Sequence, residues 1–299
     1  MSPVAADSPC RSLLVDAIDY AGLFPPAALD MAAAVRAYRE YLDGPDAWAL
    51  GRFVVPAARL EDLMAARESL PPGTAPWLLA VTCGADPVGD AGLVARFARV
   101  APREQLRADT VEFPAASPEA LLDTLAALPD TLHRFAEIPL GEDPVPFVST
   151  LKFRGAAAKF RTGGVTREAF PDPDDLMRGL EAVVRAGVPL KCTAGLHHPV
   201  RGRYRLTYEP ASPAATMYGY LNVFLCAAAL AQGERPAVAR AILLEEDPGA
   251  FAVRGGELAW RDRSFDRAML RAVRRRVLRS FGSCSFREPL DELNLMVVP

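Results

Sequence analysis

Lysine is almost missing from this chain: of 34 basic residues only Lys152, Lys159 and Lys191 are lysines, and the rest are arginines. Arginine serves any solvated positive charge but does not give up its proton, whereas a lysine amine can be tuned to do so. Lysine retained at so few positions therefore points to a need for an amine there. Histidine is as scarce, at His133, His197 and His198. The five cysteines, Cys10, Cys83, Cys192, Cys226 and Cys284, are an odd number at wide spacings without a CxxC pair. Together with the lack of a secretory segment, this predicts a reducing, cytoplasmic setting. Apolar runs are short: Met217 to Ala231 gives 15 residues, where a membrane span needs roughly 20, so a buried helix is expected there. A formal net charge of −3 offers no broad attraction for nucleic acid or anionic lipid, and neither is expected as a partner.

What is present is a regular alternation of strand-like and helix-like runs punctuated by proline and glycine. After a polar start expected to be loose, LLVDAIDYAGLFPP gives a first strand and its exit loop, and Met31, Val35, Tyr38 and Leu42 mark a helix ended by Gly44 and Pro45. Residues 48–56 form a second strand, followed by a helix that Pro71 and Pro72 stop. Residues 76–84 are a near-continuous apolar run of the kind buried on both faces. LRADTVEFP is a fourth strand, and Ser117-Pro118-Glu119 starts a helix with a capping hydroxyl and a proline at its first position. HRFAEIP is a fifth strand before a proline-broken segment at Pro144 and Pro146. AAAKFRTGG is the sixth, then Asp174 caps a helix that stops at Gly187, and VPLKCTAG is the seventh. An insertion over residues 199–264 carries the apolar helix and a hairpin turning at Gly255-Gly256, and a basic helix from Phe265 to Arg279 leads to an eighth strand, FGSCSFREP. Eight such alternations predict one closed (β/α)8 barrel of residues 1–299, with no GxGxxG to suggest a dinucleotide site. The insertion is a candidate for covering the barrel mouth or for contact within a homo-oligomer.

In such a barrel, chemistry sits at the C-terminal ends of the strands. The polar residues falling there form a ring: Asp19 and Tyr20, Glu112, Glu137, Lys159 and Arg161, Lys191 and Thr193, and Ser283, Ser285, Arg287 and Glu288. Residues two apart share a strand face, so Lys159 with Arg161 and Lys191 with Thr193 are expected to point inward. The two lysines lie one strand–helix unit apart, on strands about 4.8 Å from each other. Two partly desolvated ammonium groups at that range disfavour each other's charge, and lowering a lysine from about 10.4 to about 7 takes roughly 4 to 5 kcal/mol. A neutral amine attacks a carbonyl to give a Schiff base, an electron sink for making or breaking a carbon–carbon bond. Glu112 and Glu137 are the candidate proton carriers.

AKFRTGG, LKCTAG, FGSCS and DTVEFP together resemble the deoxyribose-phosphate aldolases and related class I aldolases over scattered runs between residues 108 and 290. The resemblance implies a (β/α)8 fold, Lys159 as the Schiff-base lysine and Lys191 as the lysine that lowers its pKa. It also implies that Gly195, Gly282 and Ser283 lie near a phosphate-binding end. Thr110 stands where that family carries an aspartate, so the relay falls to Glu112 or Glu137. Arg161 stands where it has a small residue, and a permanent cation suggests an anionic substrate. His197 and His198 replace small residues, and with Gly163 and Gly164 they complete the candidate binding positions.

No cofactor is expected on this reading. The alternative is a divalent metal held by Glu112, Glu137 and His197 or His198 in a metal-dependent lyase or hydrolase, although Lys159 and Arg161 would repel the cation. A third possibility is a non-catalytic barrel that binds a small ligand, with both lysines merely paired to carboxylates.

Overall fold

The computed structural model describes residues 4–5, 7–71, 76–101 and 105–297. The first seven strands, β1 (Ile18–Tyr20), β2 (Leu50–Pro56), β3 (Trp77–Thr82), β4 (Leu106–Pro114), β5 (His133–Glu137), β6 (Ala157–Arg161) and β7 (Leu190–Thr193), run parallel in chain order. A hairpin of β8 (Gly202–Arg205) and β9 (Ala214–Met217) and a small antiparallel sheet of β10 (Phe251–Arg254), β11 (Glu257–Trp260) and β12 (Arg263–Phe265) follow. The chain then returns to the main sheet as β13 (Leu278–Ser283), which pairs with β7 on one side and β1 on the other and closes an eight-stranded parallel barrel. The expected (β/α)8 fold is therefore present. Among the described residues no helix is long and apolar enough to cross a membrane.

The helical layer follows from caps and apolar faces. Ser117 accepts a hydrogen bond from the Ala120 amide and Pro118 sits at the first turn, while Leu121 and Leu125 are fully buried beneath them. Leu122, on the other side of the same helix, faces solvent at 42% exposure. The helix Pro173–Ala186 is capped by Asp172, two residues before the expected Asp174, and ends on Gly187 in the left-handed region at φ 68°. Tyr220–Ala231 is buried along nearly its whole length. It lies against Pro173–Ala186, Arg267–Arg276 and β13, so this part of the 199–264 segment belongs to the helical ring. Each of its Leu, Val and Phe side chains contributes roughly 1.5 to 3 kcal/mol by leaving water.

Four boundaries differ from the expectations. The N-terminal stretch is not loose throughout: Pro9–Leu14 is a helix capped by Ser8, with Cys10 fully buried, and it occupies residues expected to begin the first strand. Residues 1–3 and 6 of that stretch, and the stop at Pro72, lie outside the described residues. Pro144 and Pro146 do not break structure; both fall in the first turn of the helix Pro144–Phe153, where amide hydrogens have no helical partner to lose. The basic helix stops at Arg276, and the last strand begins at Leu278, so Ser285 lies beyond the barrel in the turn that leads into the helix Arg287–Val297.

Candidate active site

Residues of five strands meet as a chain of alternating charge. Lys159 on β6 sits directly beside Lys191 on β7 in the strand register, and Glu137 on β5 sits beside Lys159. Lys159 Nζ lies 2.9 Å from Glu112 Oε2 and 3.0 Å from Glu137 Oε2. Lys191 Nζ donates to Glu112 Oε1 and lies 2.6 Å from Asp19 Oδ2. Asp19 is held in turn by the Ser280 hydroxyl at 2.6 Å and by the Arg52 amide at 2.6 Å. Gly51 makes that last contact possible, since a Cβ there would stand 2.3 Å from Asp19 Oδ1. At the outer end Arg161 Nε donates to Glu137 Oε1 at 2.8 Å.

This arrangement changes the electrostatic expectation. The two ammonium groups do not face each other bare, because the Glu112 carboxylate stands between them and accepts from both. Burial disfavours the Lys191 cation, but Asp19 and Glu112 outweigh it and raise Lys191 above its ordinary value. Burial likewise opposes ionised Glu112, yet Lys159 and Lys191 hold its carboxyl down to about 2. Glu137 is lowered too, with Lys159 and Arg161 overcoming its desolvation. A depressed folded pKa contributes stability above the unfolded value, about 4.3 for Glu, and that stability is lost as pH falls through the folded pKa. Stability is therefore expected to fall between about pH 4.5 and 2. Urea midpoints across that range should decline for the native chain and flatten for Glu112→Gln; equal slopes would contradict the assignment.

Above the chain of charges the barrel mouth opens into a cavity of about 530 Å³ whose lining includes Glu112, Glu137, Lys159, Arg161, Lys191 and Thr193. Lys159 is the reachable amine, its side chain 8% exposed against 1% for Lys191. Gly164 and His197 line this cavity and also an adjoining one of about 280 Å³ under the β8–β9 hairpin, where Gly195 and His198 lie. Gly195 adopts φ +75°, and a Cβ there would meet Gly163 Cα at 2.9 Å, so these two glycines let the β6 and β7 exit loops touch.

Arg161 lines the cavity at its rim, with its side chain 53% exposed. Several other candidates serve other purposes. Tyr20 faces the helical layer, fully buried against Tyr38, Tyr41 and Phe53, because Asp19 before it takes the inward face. Arg287 pairs with Asp46 at 2.5 Å and with Asp291. Ser285 Oγ accepts from the Glu288 amide at the start of the last helix. Ser283 contacts His197 Nδ1 at 3.3 Å.

The metal alternative does not assemble as expected. Neither histidine joins Glu112 and Glu137, whose oxygens are taken by the lysines and Arg161. Among the described residues, the one set of three ligand-type side chains within reach of a common ion is His198, Glu288 and Glu292. Hydrogen bonding and stacking already account for it: His198 Nδ1 lies 2.8 and 3.0 Å from the two Glu292 oxygens, and its ring stacks on Tyr204 at 3.5 Å.

Sequence reasoning passed over Ser280, Tyr208 and the cysteines. Ser280 was legible, since it sits two residues before Gly282 on the inward face and beside Lys191 in the register. Cys83 and Cys284 both line the larger cavity. Tyr208 comes from the β8–β9 hairpin and carried no local signal for its place near Cys284. Compared with known proteins, the sequence matches no family model and no curated protein.

Proposed function

We propose that this chain is a lyase of the aldolase type that forms a Schiff base between Lys159 and a small anionic carbonyl compound. The observation that carries this reading is a single reachable amine on the floor of a closed-barrel cavity, placed between two carboxylates at 2.9 and 3.0 Å. Like-charge repulsion does not supply the neutral amine, because Glu112 separates the lysines. The proton goes instead to a neighbour: Glu137, the more exposed of the two carboxylates, accepts it as the amine attacks the carbonyl carbon. Glu137 returns that proton to the carbinolamine hydroxyl, which leaves as water to give the iminium. The iminium takes up the electron pair of the bond between its α- and β-carbons as Glu137 accepts the β-hydroxyl proton, leaving an enamine and a free carbonyl product.

Charge balance adds a reason for the anionic substrate. Asp19, Glu112 and Glu137 are matched by Lys159, Lys191 and Arg161, so the resting site is neutral. When Glu137 takes the proton of Lys159, Arg161 loses its counter-ion and is released to a substrate carboxylate or phosphate at the rim. Lys191 stays a cation throughout and fixes Glu112.

The test is reduction with borohydride in the presence of a panel of small aldehydes and keto acids, read by intact mass and peptide mapping. A stable adduct on Lys159 is the expected result, formed equally after exhaustive chelation because no step runs through a metal. No adduct with any member of the panel would leave a binding barrel as the better reading. Adduct formation that chelation abolishes would favour the metal-dependent one.

A further inference from the structure

A second cluster at the same barrel mouth is not used by the amine chemistry. Cys284 follows β13 and lines the larger cavity together with Lys159. Its Sγ lies 3.4 Å from the Tyr208 hydroxyl and 4.0 Å from His197 Nδ1. His197 Nδ1 is at the same time 3.2 Å from Glu288 Oε2 and 3.3 Å from Ser283 Oγ. The groups around the sulfur thus come from three elements: His197 after β7, Tyr208 from the β8–β9 hairpin and Glu288 from the last helix. The imidazole is the one of these that can become a cation, and it stands between Sγ and a carboxylate.

We propose that Cys284 and His197 form a thiolate–imidazolium pair, a second covalent nucleophile in the barrel cavity that captures small α,β-unsaturated carbonyl compounds. The donors around Sγ favour the anion, and the Glu288 carboxylate favours the imidazolium. Burial alone would disfavour both charges, yet the contacts with Cys284 and Glu288 push His197 up to about 9, while His197 and Tyr208 bring the Cys284 thiol below its ordinary value. Cys83 supplies the contrast within the same cavity: burial first, then Asp90 and Glu112, push its thiol up to about 12. Cys10 and Cys192, buried away from any such pair, are pushed up to about 11 and about 12 by burial.

The bonding step closes without an added oxidant or reductant. A sulfur lone pair forms the bond to the β-carbon, the alkene π pair moves to the α-carbon, and the His197 imidazolium returns a proton there. The products are a thioether and a neutral imidazole. A thiolate is a soft nucleophile, which selects a conjugated carbon over the carbonyl carbon that the harder Lys159 amine attacks.

The experiment is labelling of the full chain with limiting N-ethylmaleimide between pH 5.5 and 9, with each cysteine peptide followed by mass. Cys284 is expected to label at least about tenfold faster than Cys83 at pH 7, with an inflection below the ordinary thiol value of about 8.5. Since both cysteines share one cavity, access does not explain that ratio. His197→Gln should slow Cys284 about tenfold at pH 6.5 and move its inflection upward, and Tyr208→Phe should act in the same direction by a few fold. Lys159→Arg should leave the labelling rate unchanged, so a failed Schiff base and a failed thiolate are separate outcomes. Cys83 labelling as fast as Cys284, or a Cys284 profile rising through about 8.5 as for a free thiol, overturns the proposal even if the histidine variant does not fold.

Discussion

Lys159→Arg is expected to abolish borohydride trapping and to lower turnover by about 10³-fold or more, while the melting temperature moves by only a few degrees. The guanidinium keeps a permanent positive charge between Glu112 and Glu137, so both carboxylates retain a partner. What disappears is the titratable amine, which no other residue lining the cavity replaces, because Lys191 is enclosed by Asp19 and Glu112. The extra volume of arginine has somewhere to go, since the side chain borders a cavity of about 530 Å³. Loss of activity with loss of folding would say nothing about chemistry. The informative comparison is therefore turnover against melting temperature in one preparation. Near-native turnover by Lys159→Arg would end the Schiff-base mechanism, because arginine forms no imine.

The features of the site that were legible in the sequence are those set by strand periodicity. Period-two alternation places Lys159, Lys191 and Glu112 on inward faces, and the closed register confirms that Lys159 and Lys191 are neighbours. The same rule assigns Asp19 inward and therefore Tyr20 outward, so two consecutive residues of one strand do not share the site. Prolines mislead in a different way: Pro144 and Pro146 read as breakers in the sequence, although the first turn of a helix tolerates them. What periodicity cannot carry is the order of charges across strands. That Glu112 stands between the lysines depends on register and side-chain reach over the barrel interior, and it reverses the expected direction for Lys191. The pairing of Cys284 with His197 and Tyr208 was likewise hidden, because it joins three segments beyond strand ends, where no repeating pattern fixes a side chain.

The largest loss of stability is expected from Lys191→Met rather than from any change at Lys159. Removing Lys191 leaves Asp19 and Glu112, each with a side chain 1% exposed, facing one another without the cation that joined them. Asp19 keeps the Ser280 hydroxyl and the Arg52 amide, and Glu112 keeps Lys159, so hydrogen bonds remain while net negative charge is buried. Breaking a buried pair in this way costs about 3 to 5 kcal/mol, which corresponds to a fall of roughly 5 to 15 °C in melting temperature. Lys159→Met should be milder, because Glu112 still has Lys191 and Glu137 still has Arg161 and is 23% exposed. The pH dependence separates this from a packing defect. Two carboxylates sharing a site drive one folded-state pKa above its unfolded value, and such a group loses stability as pH rises past the unfolded pKa. The deficit of Lys191→Met relative to the native chain should therefore be larger at pH 8 than at pH 5. A deficit independent of pH, or a greater loss from Lys159→Met, would show that Lys191 is held for its volume and not for its charge.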